Sequence, residues 1–245
     1  MTFIIIRSIR VLALCLVTLL LVASSASSEA PTQPANYPQS LEHELQALLE
    51  SQAQTSSDPK LLVKLADVYL DMGNDLYPDS EKRLAAYEEG ARLAQRALEL
   101  QETNAEAHFL YAANLGEAAG LRGVAASFLS LEELRVHVTR ALELQKDHVP
   151  SLHMAGMMLD SLPRFMGGNP DAALVYLQRV VTLDPTYTEA RLNLAKMYLK
   201  RKNADSARHE LLAIMNMDYP KNPYGWVNRH RPEAERLLDP LKQTK

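Results

Sequence analysis

The sequence predicts an all-α fold: a solenoid of about four helical hairpins with insertions, finished by a C-terminal capping helix. Three observations predict it. The chain has 245 residues, 47% of them apolar and 23% charged, with only 9 glycines, a composition that suits packed helices. Long stretches place apolar residues at steps of three and four, the spacing that keeps one helix face dry. Finally, similar helix ends recur along the chain. Ala97-Leu98-Glu99-Leu100, Ala141-Leu142-Glu143-Leu144, Val180-Val181-Thr182-Leu183 and, more weakly, Ile214-Met215-Asn216-Met217 follow one another at 44, 39 and 34 residues.

At the N-terminus, Arg7 and Arg10 precede an unbroken apolar run from Val11 to Val22 and the small residues Ala23-Ser24-Ser25-Ala26. This order describes a secretory signal peptide over residues 1–26, and hence a periplasmic or secreted chain that meets the membrane only transiently. Ala26 is the preferred exit, and Ala23 with Ser25 fits nearly as well; the alternative is an uncleaved anchor, with Ile4 to Ile6 lengthening the apolar run. The single cysteine, Cys15, follows Leu14 rather than a small residue, which opposes lipidation. Cleavage would leave no cysteine for disulfide or thiolate chemistry. It would also leave 24 Lys and Arg against 30 Asp and Glu, a net charge of −6 that opposes nucleic-acid binding.

Residues 27–39 carry Pro31, Pro34 and Pro38 among polar residues and read as a flexible leader to a helical domain over 40–245. Ser40 can cap a first helix bearing Leu41, Leu45, Leu48 and Leu49 on one side. Helix-like runs follow at Pro59 to Gly73, Asn104 to Gly116, Pro150 to Asp160 and Thr188 to Lys200, each opening a hairpin. Asp58-Pro59 and Asn169-Pro170 pair a capping side chain with proline at the first helical position. Ser130-Leu131-Glu132-Glu133 and Thr103-Asn104-Ala105-Glu106 read as capping boxes. Where two antiparallel helices cross closely there is room only for small side chains. Ala66 with Ala97, Ala112 with Ala141, Gly156 with Ala173, and Ala195 with Ala207 supply them, flanked in the last unit by Leu194, Tyr198 and Leu211. That last unit has the 34-residue period of the tetratricopeptide repeat (TPR), which the set of four resembles.

Two inserts stretch the repeat: Gly116 to Ala126, and Ser161 to Pro170 with its paired Gly167-Gly168. Each is either a connector or part of a binding cavity. The second, Leu162-Pro163-Arg164-Phe165-Met166-Gly167-Gly168-Asn169-Pro170-Asp171-Ala172-Ala173, together with Leu194-Ala195-Lys196-Met197-Tyr198 and the closing Asn228 to Leu238, resembles the T-component proteins that accompany bacterial TRAP-type solute transporters. The resemblance spans roughly residues 100–240. It implies cryptic TPR-like hairpins, a periplasmic location, ligand binding and association with a periplasmic solute-binding protein.

Motifs for chemistry are missing. None of the seven histidines forms a two-His zinc motif, and there is no phosphate-cradling glycine loop or nucleophile elbow. Adjacent pairs such as Glu88-Glu89 and Glu132-Glu133 diverge by about 100° on a helix and read as solvated charge. No enzyme activity, cofactor or metal is therefore expected. The function expected is protein binding, as a transporter accessory or as an envelope adaptor. The first helices of the hairpins line the concave side of a TPR-like solenoid, which places Asp67, Phe109, Asn114, His153, Met157, Asp160 and Lys196 there, with Arg164, Phe165, Gly167 and Gly168 added from the insert. Met154, Met157 and Met158 fill the core or form an adaptable surface. Tyr219, Tyr224 and Trp226 read as the cap over the last unit.

Overall fold

The computed structural model describes residues 33–242; the signal peptide expected over 1–26, with residues 27–32 of the leader, lies outside them. Among the described residues the chain is all helix and turn, with no strand. Helix α1 (Ser40–Glu50) leans on the first of four hairpins. These are α2 (Pro59–Asp71) with α3 (Ser80–Leu100), α4 (Ala105–Arg122) with α5 (Val124–Leu144), α6 (Val149–Ser161) with α7 (Pro170–Leu183), and α8 (Thr188–Lys200) with α9 (Ala204–Met215). The chain then passes through a one-turn helix, α10 (Pro223–Gly225), and α11 (Arg231–Lys242) folds back onto α9. The all-α hairpin solenoid is thus the observed architecture.

The crossing residues explain the hairpins. Ala66, Ala97, Ala112, Ala141, Ala173, Ala195 and Ala207 are all fully buried. A methyl added at Gly156 would press within 3.2 Å of Leu177, so the third crossing needs the smallest residue. Around these contacts Leu62, Leu65, Leu93, Leu110, Leu177, Leu194 and Leu211 are sealed from solvent. Each buried leucine contributes about 2 kcal/mol relative to exposure.

Caps fix most helix starts. Asp58, Asn104, Asn169 and Asn203 each accept a backbone N–H of the first turn. Three expected caps are corrected. Gln39, not Ser40, precedes α1, and it makes no side-chain cap. Asn104 rather than Thr103 caps α4. Ser130-Leu131-Glu132-Glu133 lies inside α5, because the chain is already helical from Val124. The first insert likewise becomes helix, lengthening α4 and α5 and breaking only at Gly123, whose φ of 103° favours glycine. The second insert is a single 3-10 turn, Arg164–Met166, closed by Gly167 at φ 89°.

The two ends of the solenoid meet. Residues 33–39, within the expected leader, form a run of turns fastened by side chains. Gln33 accepts the Tyr224 backbone N–H at 2.7 Å, and the Tyr37 ring meets the Tyr224 ring edge-on at 5.4 Å. The Tyr37 hydroxyl donates to Asp75 at 2.6 Å, and Arg229 pairs with the same carboxylate at 2.6 Å. Asp75 and Arg229 each sit in a π-helical turn, Met72–Leu76 and Trp226–His230. The first turn needs Gly73, where an added methyl would fall 2.3 Å from the Tyr87 ring. Trp226 anchors the second, donating its indole N–H to the Ile214 carbonyl at 2.8 Å and packing on the core of α8, α9 and α11. Trp226 therefore caps the last unit, whereas Tyr224 serves the closure and Tyr219 is exposed.

Candidate functional site: the closed concave groove

Because the ends meet, the concave face becomes a walled groove of about 940 Å³. One side of α2 supplies Asp67, Leu70 and Asp71; one face of α4 supplies Glu106, Phe109, Ala113 and Glu117; α6 supplies Pro150, His153, Met154, Met157 and Met158. The steps of three and four along each helix are those of a single face. Tyr187, Thr188 and Glu189 from the start of α8, with Lys221 and His230 from the tail, complete the wall.

The acidic side of the groove is under electrostatic strain. Asp67 is open to the groove but hemmed in by protein. Loss of solvation raises its carboxyl to about 6, helped by Glu106 and Glu44 and opposed by Lys221 and Lys64. Asp71, one turn on, is raised to about 8, first by desolvation and then by Asp67, Asp75 and Glu44. Glu117 is raised by burial as well. On the opposite side burial keeps His153 and His230 below the usual histidine range. His153 is held by the Tyr187 hydroxyl at 3.2 Å and the Asn193 amide at 3.0 Å. Lys221 pairs with Asp184 at 3.2 Å and lies 4.6 Å over the Tyr187 ring. The lining thus carries more carboxylates than cations, together with Phe109 and three methionines.

Of the residues assigned to a site from sequence, Asp67, Phe109, His153 and Met157 line this groove. Asn114 does not. It is fully buried, and its amide donates to the Ala66 carbonyl at 3.3 Å and to the Leu110 carbonyl at 2.9 Å. It follows Ala113 by one residue, about 100° around α4, and so faces α2 instead of the groove. Asp160 is likewise turned away and pairs with Lys200 at 2.6 Å, while Lys196 pairs with Glu233 of α11 at 3.4 Å. The insert stands apart. Phe165 is 88% exposed, and Arg164 shares its turn. Gly167 borders a separate cavity of about 520 Å³ between α5, α6 and α7, beside Arg135, which donates to the Met166 carbonyl. Gly168 has its backbone pressed on the Leu162 carbonyl, where no Cβ would fit. The methionines serve both roles, lining the groove and packing on the core.

Sequence reasoning missed Asp71, Glu106, Glu117, Tyr187, Glu189, Lys221 and His230. The Glu106, Phe109, Ala113, Glu117 period carried the signal for α4, and Asp67 to Asp71 carried it for α2. Nothing local marked Lys221 or His230, which chain closure brings in. Among the described residues no three His, Cys, Asp or Glu side chains are grouped to hold a metal, and no helix is long and apolar enough to cross a membrane.

Fold and groove together define a TPR-like helical repeat protein, a class that serves in protein interaction. A tetratricopeptide repeat model matches residues 165–226. A thermophilic TPR protein of Thermus thermophilus superposes with a TM-score of 0.59 at 14% identity, covering 79% of this chain and 90% of that one. The family model described as "Regulator of microtubule dynamics protein 1-3" matches residues 32–159, more than half of the chain, and the chain belongs to that family. Regulator of microtubule dynamics protein 1 of Bos taurus is 29% identical over 189 residues, 70% of this chain and 59% of the bovine protein. The human protein of that name is 28% identical over 158 residues, 58% of this chain and 49% of the human one. The matched part of the chain therefore spans between about half and three fifths of the length of these relatives.

These relatives correct the expected location. They are animal proteins named for microtubule dynamics, not periplasmic proteins, so the periplasmic or secreted placement read from residues 1–26 is overturned. They also lend no support to the T-component resemblance or to a solute-binding partner. The reason is physical: hairpin crossings and a tight glycine turn reflect packing rules common to many helical repeats, and do not report the partner.

Proposed function

We propose that the chain is a scaffold that captures a segment of a partner protein in its concave groove, in the service of microtubule regulation. The observation that carries the reading is the groove itself, walled by the first helices of successive hairpins and holding polar groups left without protein partners. The setting comes from the relatives' name, and the chemistry from Phe109 and the methionines that line the groove with its polar groups. Aromatic and methionine side chains suit adaptable protein contacts.

A photo-crosslinking residue placed at Met157, in the full chain mixed with polymerised tubulin and the proteins that co-purify with it, tests this reading. The same residue at Val136, exposed on α5, serves as the comparison. Crosslinks to one defined partner from position 157 and none from 136 are expected. Crosslinks from 136 alone, or none from 157, would contradict it.

A further inference from the structure

Many acidic side chains among the described residues are held by a cation. Glu102 is held by Arg140, Asp147 by Arg179, Asp171 by Arg201 and Glu233 by Arg236. Asp75, one turn beyond Asp71, is satisfied by Tyr37 and Arg229. Asp67 and Asp71 are crowded by protein, yet among the described residues neither makes a side-chain hydrogen bond, or an ion pair out to 4.0 Å. They lie four residues apart on α2 and face the same groove. Lys221, the one lysine or arginine on the described groove wall, is already engaged by Asp184 and Tyr187.

A second observation is independent of the carboxylates. His230 is only 6% exposed and borders the groove. Its Nδ1 lies 2.8 Å from the Thr188 hydroxyl, and no described protein group takes Nε2. That second nitrogen is left for a group bound in the groove. The same groove is lined by Phe109, Met154 and Met157. Carboxylates beside an apolar lining match a side chain with a hydrocarbon stem and a cationic head. Desolvated carboxylates that repel each other are relieved by a cation between them.

We propose that the groove takes a basic segment of the partner protein, with one lysine or arginine head seated between Asp67 and Asp71 and its stem against Phe109 and the methionines. This rests on the reading of the groove as the partner site and names the chemical class that the site selects. Polar donors or acceptors of the same segment reach His230. Acidic segments are rejected, because they would add charge to a wall already short of cations.

The probe is a fluorescein-labelled dodecapeptide of alternating arginine and leucine, read by fluorescence anisotropy against the full chain. A peptide with glutamate in place of arginine is the control. The arginine peptide is expected to bind, and to bind more weakly as salt rises. The double variant Asp67→Asn, Asp71→Asn is expected to weaken it by about tenfold or more. Glu99→Gln, on an exposed position of α3, is expected to leave it unchanged. The double variant should melt no lower than the parent, because it removes two poorly solvated charges. No binding of the arginine peptide, equal binding by the double variant, or equal binding of the glutamate peptide would overturn the proposal. In each case the crosslinking from position 157 still decides the groove reading separately.

Discussion

The two halves of the solenoid are built to different measures. In the N-terminal half α3, α4 and α5 run 21, 18 and 21 residues, whereas α6 to α9 run 13, 14, 13 and 12. The long-helix half holds most of the match to the regulator of microtubule dynamics family, and the short-helix half matches the general repeat. The halves also contribute differently to the groove. Asp67, Asp71, Glu106 and Glu117 come from the first, while His153, Tyr187, Lys221 and His230 come from the second. The C-terminal half supplies regular scaffold and the nearly buried Arg191–Glu210 pair. The N-terminal half carries Asp67 and Asp71, which have no ion-pair partner among the described residues, and with them the individuality of the protein. A binding wall and a structural wall should then respond to mutation with opposite sign.

The largest effect is expected in the C-terminal half. Arg191 and Glu210 form a nearly buried ion pair at 2.6 Å. Glu210→Leu strands the guanidinium and should cost about 3 kcal/mol in a denaturant titration. An unchanged midpoint would show that the pair contributes little. Next comes Gly90→Val in the N-terminal half. Even a single added methyl there would fall 2.3 Å from the buried Asn114 side chain, so the substitution must push α3 from α4. A loss of about 2 kcal/mol is expected, and a neutral result would show that Asn114 can move aside.

A gain is expected at Asp71. Its folded carboxyl is raised to about 8, so between the unfolded value near 4 and pH 8 the native state binds more protons than the unfolded one. Ionising Asp71 therefore costs stability as the pH rises. Asp71→Asn should add about 1 kcal/mol at pH 8, with the gain fading toward pH 4, where both states hold the proton. A loss at pH 8 would place Asp71 among the structural carboxylates. The smallest effect concerns His153, which burial keeps below the usual histidine range. Its native form binds fewer protons, so stability falls as the pH drops below about 6.5. His153→Gln should make that fall shallower by under about 1 kcal/mol, while His137 and His230, also lowered, maintain the rest. A slope that is unchanged or steeper would contradict this.

Much of the fold was legible because it rests on local rules. Alanine or glycine at each crossing, proline after Asp58 and Asn169, and the 3.6-residue period all act within a helix or between sequence neighbours. The inserts were harder. Gly116 and Gly120 suggested a loop between α4 and α5, yet alanine-rich sequence around them kept the chain helical as far as Gly123. The groove was legible only where one helix face repeats, and a one-residue change of register was enough to misplace Asn114 and Asp160. Its second wall depends on Asp75 meeting Arg229 across 154 residues, a contact that no local pattern announces. The apolar N-terminal run pointed to export, but a run of apolar residues is a statement about solvation and does not identify a compartment.

The most direct measurement is a 13C NMR titration of the aspartate carboxyl groups, with and without the arginine–leucine peptide. In the free chain Asp67 and Asp71 should titrate near about 6 and about 8. With peptide bound, both should fall toward the ordinary carboxylate range, because a cation between them favours the ionised form. Carboxyls that titrate near 4 in the free chain, or that do not move when the peptide is added, would contradict the account.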